Sequence, residues 1–86
     1  MERYKVFFKR SVFKDLRPIP KADVKRILKR IEALAADPRG PGCEKLSGQE
    51  RYRVRQGNYR ILYTIEDDRL IVTVVQIGKR SEMYDR

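Results

Sequence analysis

The sequence predicts a small α+β domain: an N-terminal strand, then a two-helix antiparallel hairpin packed on a mainly antiparallel sheet, in the order β-α-α-β-β-β. Three observations predict it. The chain has 86 residues, enough for a single domain (1–86) with one modest core. Apolar residues recur at three- and four-residue spacing over 21–36. From 52 to 77 they recur at every second residue, interrupted twice by turn-forming pairs. Hydrophobic residues make up 41% of the chain; because they are periodic, they decide for a packed domain over a disordered basic tail despite 38% charged residues.

Tyr4, Val6 and Phe8 alternate along a first strand at 4–8. Ser11 is a candidate N-cap for a short helix running to about Arg17, where Pro18 and Pro20 stop it. From Lys21 to Ala36, Val24, Ile27, Leu28, Ile31, Leu34 and Ala35 form the apolar stripe of an amphipathic helix ended by Asp37-Pro38. Lys21, Lys25, Arg26, Lys29, Arg30 and Glu32 make its other face, which reads as solvated scaffold. Arg39 to Glu50 holds four glycine or proline positions and reads as a loop, with Leu46 anchoring it to the core.

The remainder reads as three strands, Tyr52 to Gln56, Tyr59 to Ile65 and Leu70 to Ile77, joined at Gly57-Asn58 and Asp67-Asp68. A two-residue loop at Gly57-Asn58 sets the register: Arg55 faces Arg60, Val54 faces Ile61, Arg53 faces Leu62 and Tyr52 faces Tyr63. One sheet face then carries Tyr52, Val54, Ile61, Tyr63, Ile65, Leu70, Val72 and Val74 as core. The other carries Arg51, Arg53, Arg55 and Arg60, with Leu62, Thr64, Thr73 and Val75 behind them.

The net charge of +9 contains no histidine, so it persists at any physiological pH and calls for a polyanionic partner. Nucleic acid and an acidic protein both fit. A membrane fits less well, because the amphipathic helix is needed for the core, and neither a transmembrane span nor a secretion signal is evident. A cytoplasmic location is expected. Cys43 is the sole cysteine, which excludes an internal disulfide; without histidine a conventional zinc site is not expected either, and Cys43 reads as an incidental loop thiol.

Between Arg51 and Arg60 there are four arginines and no acid. Like charges opposed across a ladder are unfavourable, so an anion held between Arg55 and Arg60 would relieve the arrangement. Lys79 and Arg80 follow the last strand and extend the expected RNA-binding set of Arg51, Arg53, Arg55 and Arg60; Tyr84 is placed to stack a base or orient a ribose hydroxyl. Arginines with a tyrosine, lacking metal ligands or a serine triad, fit phosphoryl transfer, in which an RNA 2′-hydroxyl attacks its neighbouring phosphate. No metal or other cofactor is expected. Composition alone leaves passive RNA binding open.

From Glu44 to Tyr84 the run EKLSGQERYRVRQGNYRILYTIEDDRLIVTVVQIGKRSEMY resembles the RelE branch of the RelE/ParE toxin superfamily. The Gly-Asn-Tyr-Arg element before an apolar strand and the Gly-x-Arg-x-x-x-Tyr ending are its more specific parts. The resemblance implies a small RelE-like fold and a toxin that cuts mRNA in the ribosomal A site, held inactive by an acidic, RelB-like antitoxin. Its catalytic positions fall on Arg53, Arg55, Arg60, Arg80 and Tyr84. Well-studied relatives have lysines where Arg53 and Arg55 stand, and arginine is a poor general base though a better phosphate clamp. Two alternatives remain at this level: a gyrase inhibitor of the ParE branch and a non-catalytic RNA-binding domain.

Overall fold

The computed structural model describes residues 3–79. Within them the chain runs β1 (Lys5–Phe8), α1 (Val12–Leu16), α2 (Lys21–Ala36), β2 (Glu44–Lys45), β3 (Tyr52–Gln56), β4 (Tyr59–Glu66) and β5 (Ile71–Lys79). The strands form one sheet in the order β1-β5-β4-β3-β2. Every neighbouring pair is antiparallel except β1 with β5, which is parallel. The register of β3 on β4 is the expected one, Arg55 opposite Arg60 and Tyr52 opposite Tyr63.

Both helices lie on one face. Val12, Ile19, Ile27, Ile31 and Leu34 pack there against Val54, Ile61, Tyr63, Val72 and Val74, and each strand contributes alternate residues, as a half-buried sheet requires. A β-bulge at Val75 modifies this alternation: Leu62 stands opposite Gln76 but Tyr63 opposite Val74. The extra residue keeps Val75 and Gln76 off the core and returns Ile77 to it, opposite Ile61. Leu28, expected in the core stripe, is 41% exposed, because the apolar stripe of α2 is wider than the surface it covers.

Three local expectations are corrected. Ser11 precedes α1 but its side chain caps nothing: its backbone is already helical at φ −61°, ψ −20°, whereas a capping residue needs extended geometry. The turn after β4 spans Asp67 to Leu70, and Leu70, expected as the first core residue of the last strand, sits in that turn at φ +53°. The loop from Arg39 to Glu50 contains β2, which pairs with β3 at the sheet edge.

At the end of the sheet away from Gly57 a polar clasp ties three segments together. Arg39 donates from both terminal nitrogens to Asp67, at 2.8 and 2.9 Å, and Tyr4 donates its hydroxyl to the same carboxylate at 2.8 Å. The Arg39 guanidinium lies 5.3 Å from the ring centroid of Tyr52, which stacks on Tyr63. The Tyr63 hydroxyl donates to the Pro38 carbonyl at 2.7 Å, and burial pushes this phenol well above the usual tyrosine range, with Cys43 alongside adding to the shift.

Hydrogen bonds first from Arg39 and then from Tyr4 hold the Asp67 carboxyl below its ordinary value. A carboxyl depressed by folding contributes stability above its unfolded pKa of about 3.9 and loses that contribution as pH falls through the folded value. Asp67→Asn is therefore expected to flatten the acid limb of stability below about pH 4. Thermal melting across that range checks this; an unchanged acid limb would remove the clasp from the account.

Candidate nucleic-acid interface

The tightness of the β3–β4 turn decides the geometry of the outer sheet face. Gly57 takes φ +60° and Asn58 does not have positive φ, the pattern of a type II′ turn, which glycine at the first position favours. Arg55 and Arg60 are consequently held directly opposite one another near the hairpin tip, Arg55 exposed and Arg60 half-buried. Arg53 is two residues along the same strand, hence on the same face, opposite Leu62. Arg51 is exposed just before β3, where its carbonyl accepts the Leu46 N–H at 2.8 Å.

This face also has a carboxylate. β2 brings Glu44 opposite Arg53, and Arg53 Nη2 donates to Glu44 Oε2 at 2.6 Å. The Arg53 side chain is only 14% exposed, against 63% for Glu44, so the pair is a partly desolvated charge-assisted bond. The four arginines are acid-free in sequence but not in space. Beside them Leu46 and Leu62, with Val75 packed against them, form a second small apolar cluster on the outer face. The bulge at Val75 adds this side chain to the patch. Sequence reasoning missed Glu44 because a two-residue bridge is too short for alternation to register; the available signal was the buried anchor Leu46 two positions later.

Lys79 is not on the arginine face. It pairs with Tyr59, one step past the Gly78–Arg60 pair, and lines a cavity on the helix side of the sheet. Arg80 and Tyr84 lie outside the described residues. Among the described residues no group of three or more His, Cys, Asp or Glu side chains is placed to hold a metal ion, and no helix is long and apolar enough to cross a membrane.

Chemically, the face combines three guanidinium groups able to grip phosphate oxygens in bidentate fashion with one carboxylate able to take a proton. An anion between Arg55 and Arg60 would relieve their opposition, and the carboxylate of Glu44 is oriented by its bond to Arg53.

Residues 6–84 match the family model of the ParE toxin of type II toxin–antitoxin systems, parDE. A RelE-like toxin protein of Escherichia coli is 28% identical over 87 residues, covering 96% of this chain and 92% of that protein. The archaeal RelE–RelB complex of Pyrococcus horikoshii contains a chain with TM-score 0.82 and 26% identity, covering 94% of this chain and 99% of the other. The RelB–RelE antitoxin–toxin complex of Methanococcus jannaschii gives a TM-score of 0.71 at 27% identity, covering 92% and 95%. The five-stranded sheet with its two helices is thus the RelE fold, and the chain belongs to the ParE toxin family of type II toxin–antitoxin systems as a RelE-type member of the RelE/ParE superfamily.

Proposed function

We propose that this toxin is an endoribonuclease that cuts mRNA in the ribosomal A site through attack of a 2′-hydroxyl on the adjacent phosphate. The observation that carries the reading is the outer face itself, where Arg55 stands opposite Arg60 and Arg53, on the same face, holds the Glu44 carboxylate. Arg55 and Arg60 clamp the scissile phosphate and stabilise the charge that grows on it. Glu44, oriented by Arg53, takes the proton of the attacking hydroxyl, the task arginine performs poorly. A water returns a proton to the leaving oxygen, Arg80 stabilises the charge there, and Tyr84 orients the substrate. Lys79 and Arg51 contribute charge for the approaching RNA. No step calls for a metal or other cofactor.

The inhibitory partner is an acidic, RelB-like antitoxin. Two similar toxins were solved in complex with RelB, and a net charge of +9 suits an acidic segment wrapped around this chain. The site of action is the cytoplasm, where ribosomes are.

Incubating mRNA with the protein, with and without ribosomes, and mapping ends by primer extension tests the reading. Cuts within A-site codons are expected only with ribosomes, and far fewer with Tyr84→Ala. Intact mRNA beside translating ribosomes and folded protein would sink it. The family model carries the ParE name, which keeps a gyrase inhibitor as a second reading. DNA damage on expression, without RNA cleavage, selects that one, and salt-sensitive RNA binding without cleavage selects a non-catalytic binder.

A further inference from the structure

β1 ends at Phe8, opposite Val74, so among the described residues no strand pairs with the last residues of β5 on that side. Asp15 on α1 covers part of the gap, its Oδ2 accepting the Ile77 N–H at 3.1 Å. That bond reveals which way the backbone faces. In an antiparallel ladder a residue's N–H and C=O point to the same side, and successive residues alternate. The Ile77 carbonyl and the Lys79 N–H therefore also point away from β4 and into the gap. The hairpin agrees: Gln56 and Tyr59 flank a two-residue turn and bond each other, which leaves Tyr59 and Lys79 as a pair without ladder bonds.

The gap is a cavity of about 310 Å³ lined by Lys14, Asp15, Pro18, Ile19, Tyr59 and Lys79, with the Ile77–Lys79 backbone along one side. Such a volume is at the small end of ligand sites. Pro18, Ile19 and Tyr59 supply apolar surface on its walls, and Lys14, Asp15 and Lys79 supply charge. A backbone acceptor and a backbone donor stand two residues apart on one edge, and two ammonium groups flank them. This set matches a planar heterocycle with adjacent hydrogen-bond donor and acceptor that carries a phosphate. A peptide strand fits less well, because the open edge is short and Asp15 blocks its start. Gly78 pairs with Arg60 and Lys79 with Tyr59, so the cavity and the arginine face share one end of the sheet on opposite sides.

We infer that this cavity is a nucleotide pocket that takes a base of the bound RNA beside the phosphate gripped by the arginine face. The inference rests on the RNA-cleaving reading for its role, but not for its chemistry. Its test is titration of 15N-labelled full-length protein with each of the four ribonucleoside monophosphates, and with ribose 5-phosphate as a control lacking the base. Base-bearing nucleotides are expected to move the Ile77 and Lys79 amide resonances saturably, and ribose 5-phosphate to leave them in place.

Lys79→Pro removes one donor without breaking a ladder bond and should weaken binding about tenfold, the worth of one hydrogen bond. Lys79→Ala keeps the N–H and should weaken it less. Equal responses to ribose 5-phosphate, or shifts confined to Arg53, Arg55 and Arg60, would overturn the pocket whatever the variants do. Ribosome-dependent cleavage without base-dependent shifts removes the pocket and keeps the nuclease. Shifts without cleavage keep the pocket as a nucleotide site and remove the nuclease.

Discussion

Arg60→Ala is expected to lower ribosome-dependent mRNA cleavage by about 100- to 1,000-fold, the usual cost of removing one preorganised group that stabilises transition-state charge. Arg60 is half-buried on the central strand β4, held opposite Arg55 by the type II′ turn, so its position is set before RNA arrives. A group prepositioned in this way pays little reorganisation when charge develops on the phosphate. Lys25→Ala, on the exposed face of α2, removes the same formal charge from the molecule and should change the rate only a few-fold through weaker long-range attraction. Arg60→Lys should fall between, since an ammonium keeps the charge but loses the planar fork. Single-turnover cleavage on programmed ribosomes, with thermal melts to establish folding, measures all three. Equal losses at Arg60 and Lys25 would show that bulk charge rather than this face drives the reaction.

Most of the architecture that positions Arg60 is legible in the sequence, for reasons of periodicity. The helical repeat from Lys21 to Ala36 and the alternation of β3 and β4 each exceed a full structural period several times, and Gly57-Asn58 permits one register. What was not legible depends on contacts without a period. The two residues of β2 are recruited by pairing with β3, and the bulge at Val75 lies just past the last β1 pair, Phe8 with Val74. Leu70 adopts positive φ because the turn demands it, although nothing about leucine announces that conformation. The arginine cluster could be read from alternation alone. Its carboxylate could not, because Glu44 precedes Arg53 by nine residues and only the edge pairing joins them.

That edge pairing leads to the second large effect. Glu44→Gln is expected to reduce the cleavage rate by about 100-fold or more, within the range ordinarily contributed by proton transfer. Glutamine keeps an oxygen that can accept the Arg53 N–H, so Arg53 stays close to its present position while the proton acceptor disappears. If Glu44 served only to hold Arg53, the glutamine variant would stay near wild type and only Glu44→Ala, which leaves the 14%-exposed Arg53 side chain without this carboxylate, would lose activity. The pH profile separates the roles further. A carboxylate acting as base must be ionised, so the wild-type rate should fall toward acid pH, and that acidic limb should vanish in Glu44→Gln while the alkaline side keeps its shape. Arginine stays protonated throughout, so none of the clamping groups on β3 or β4 can generate such a limb. A profile that retains its acidic limb after the substitution would move the base elsewhere and leave Glu44 as the residue that positions Arg53.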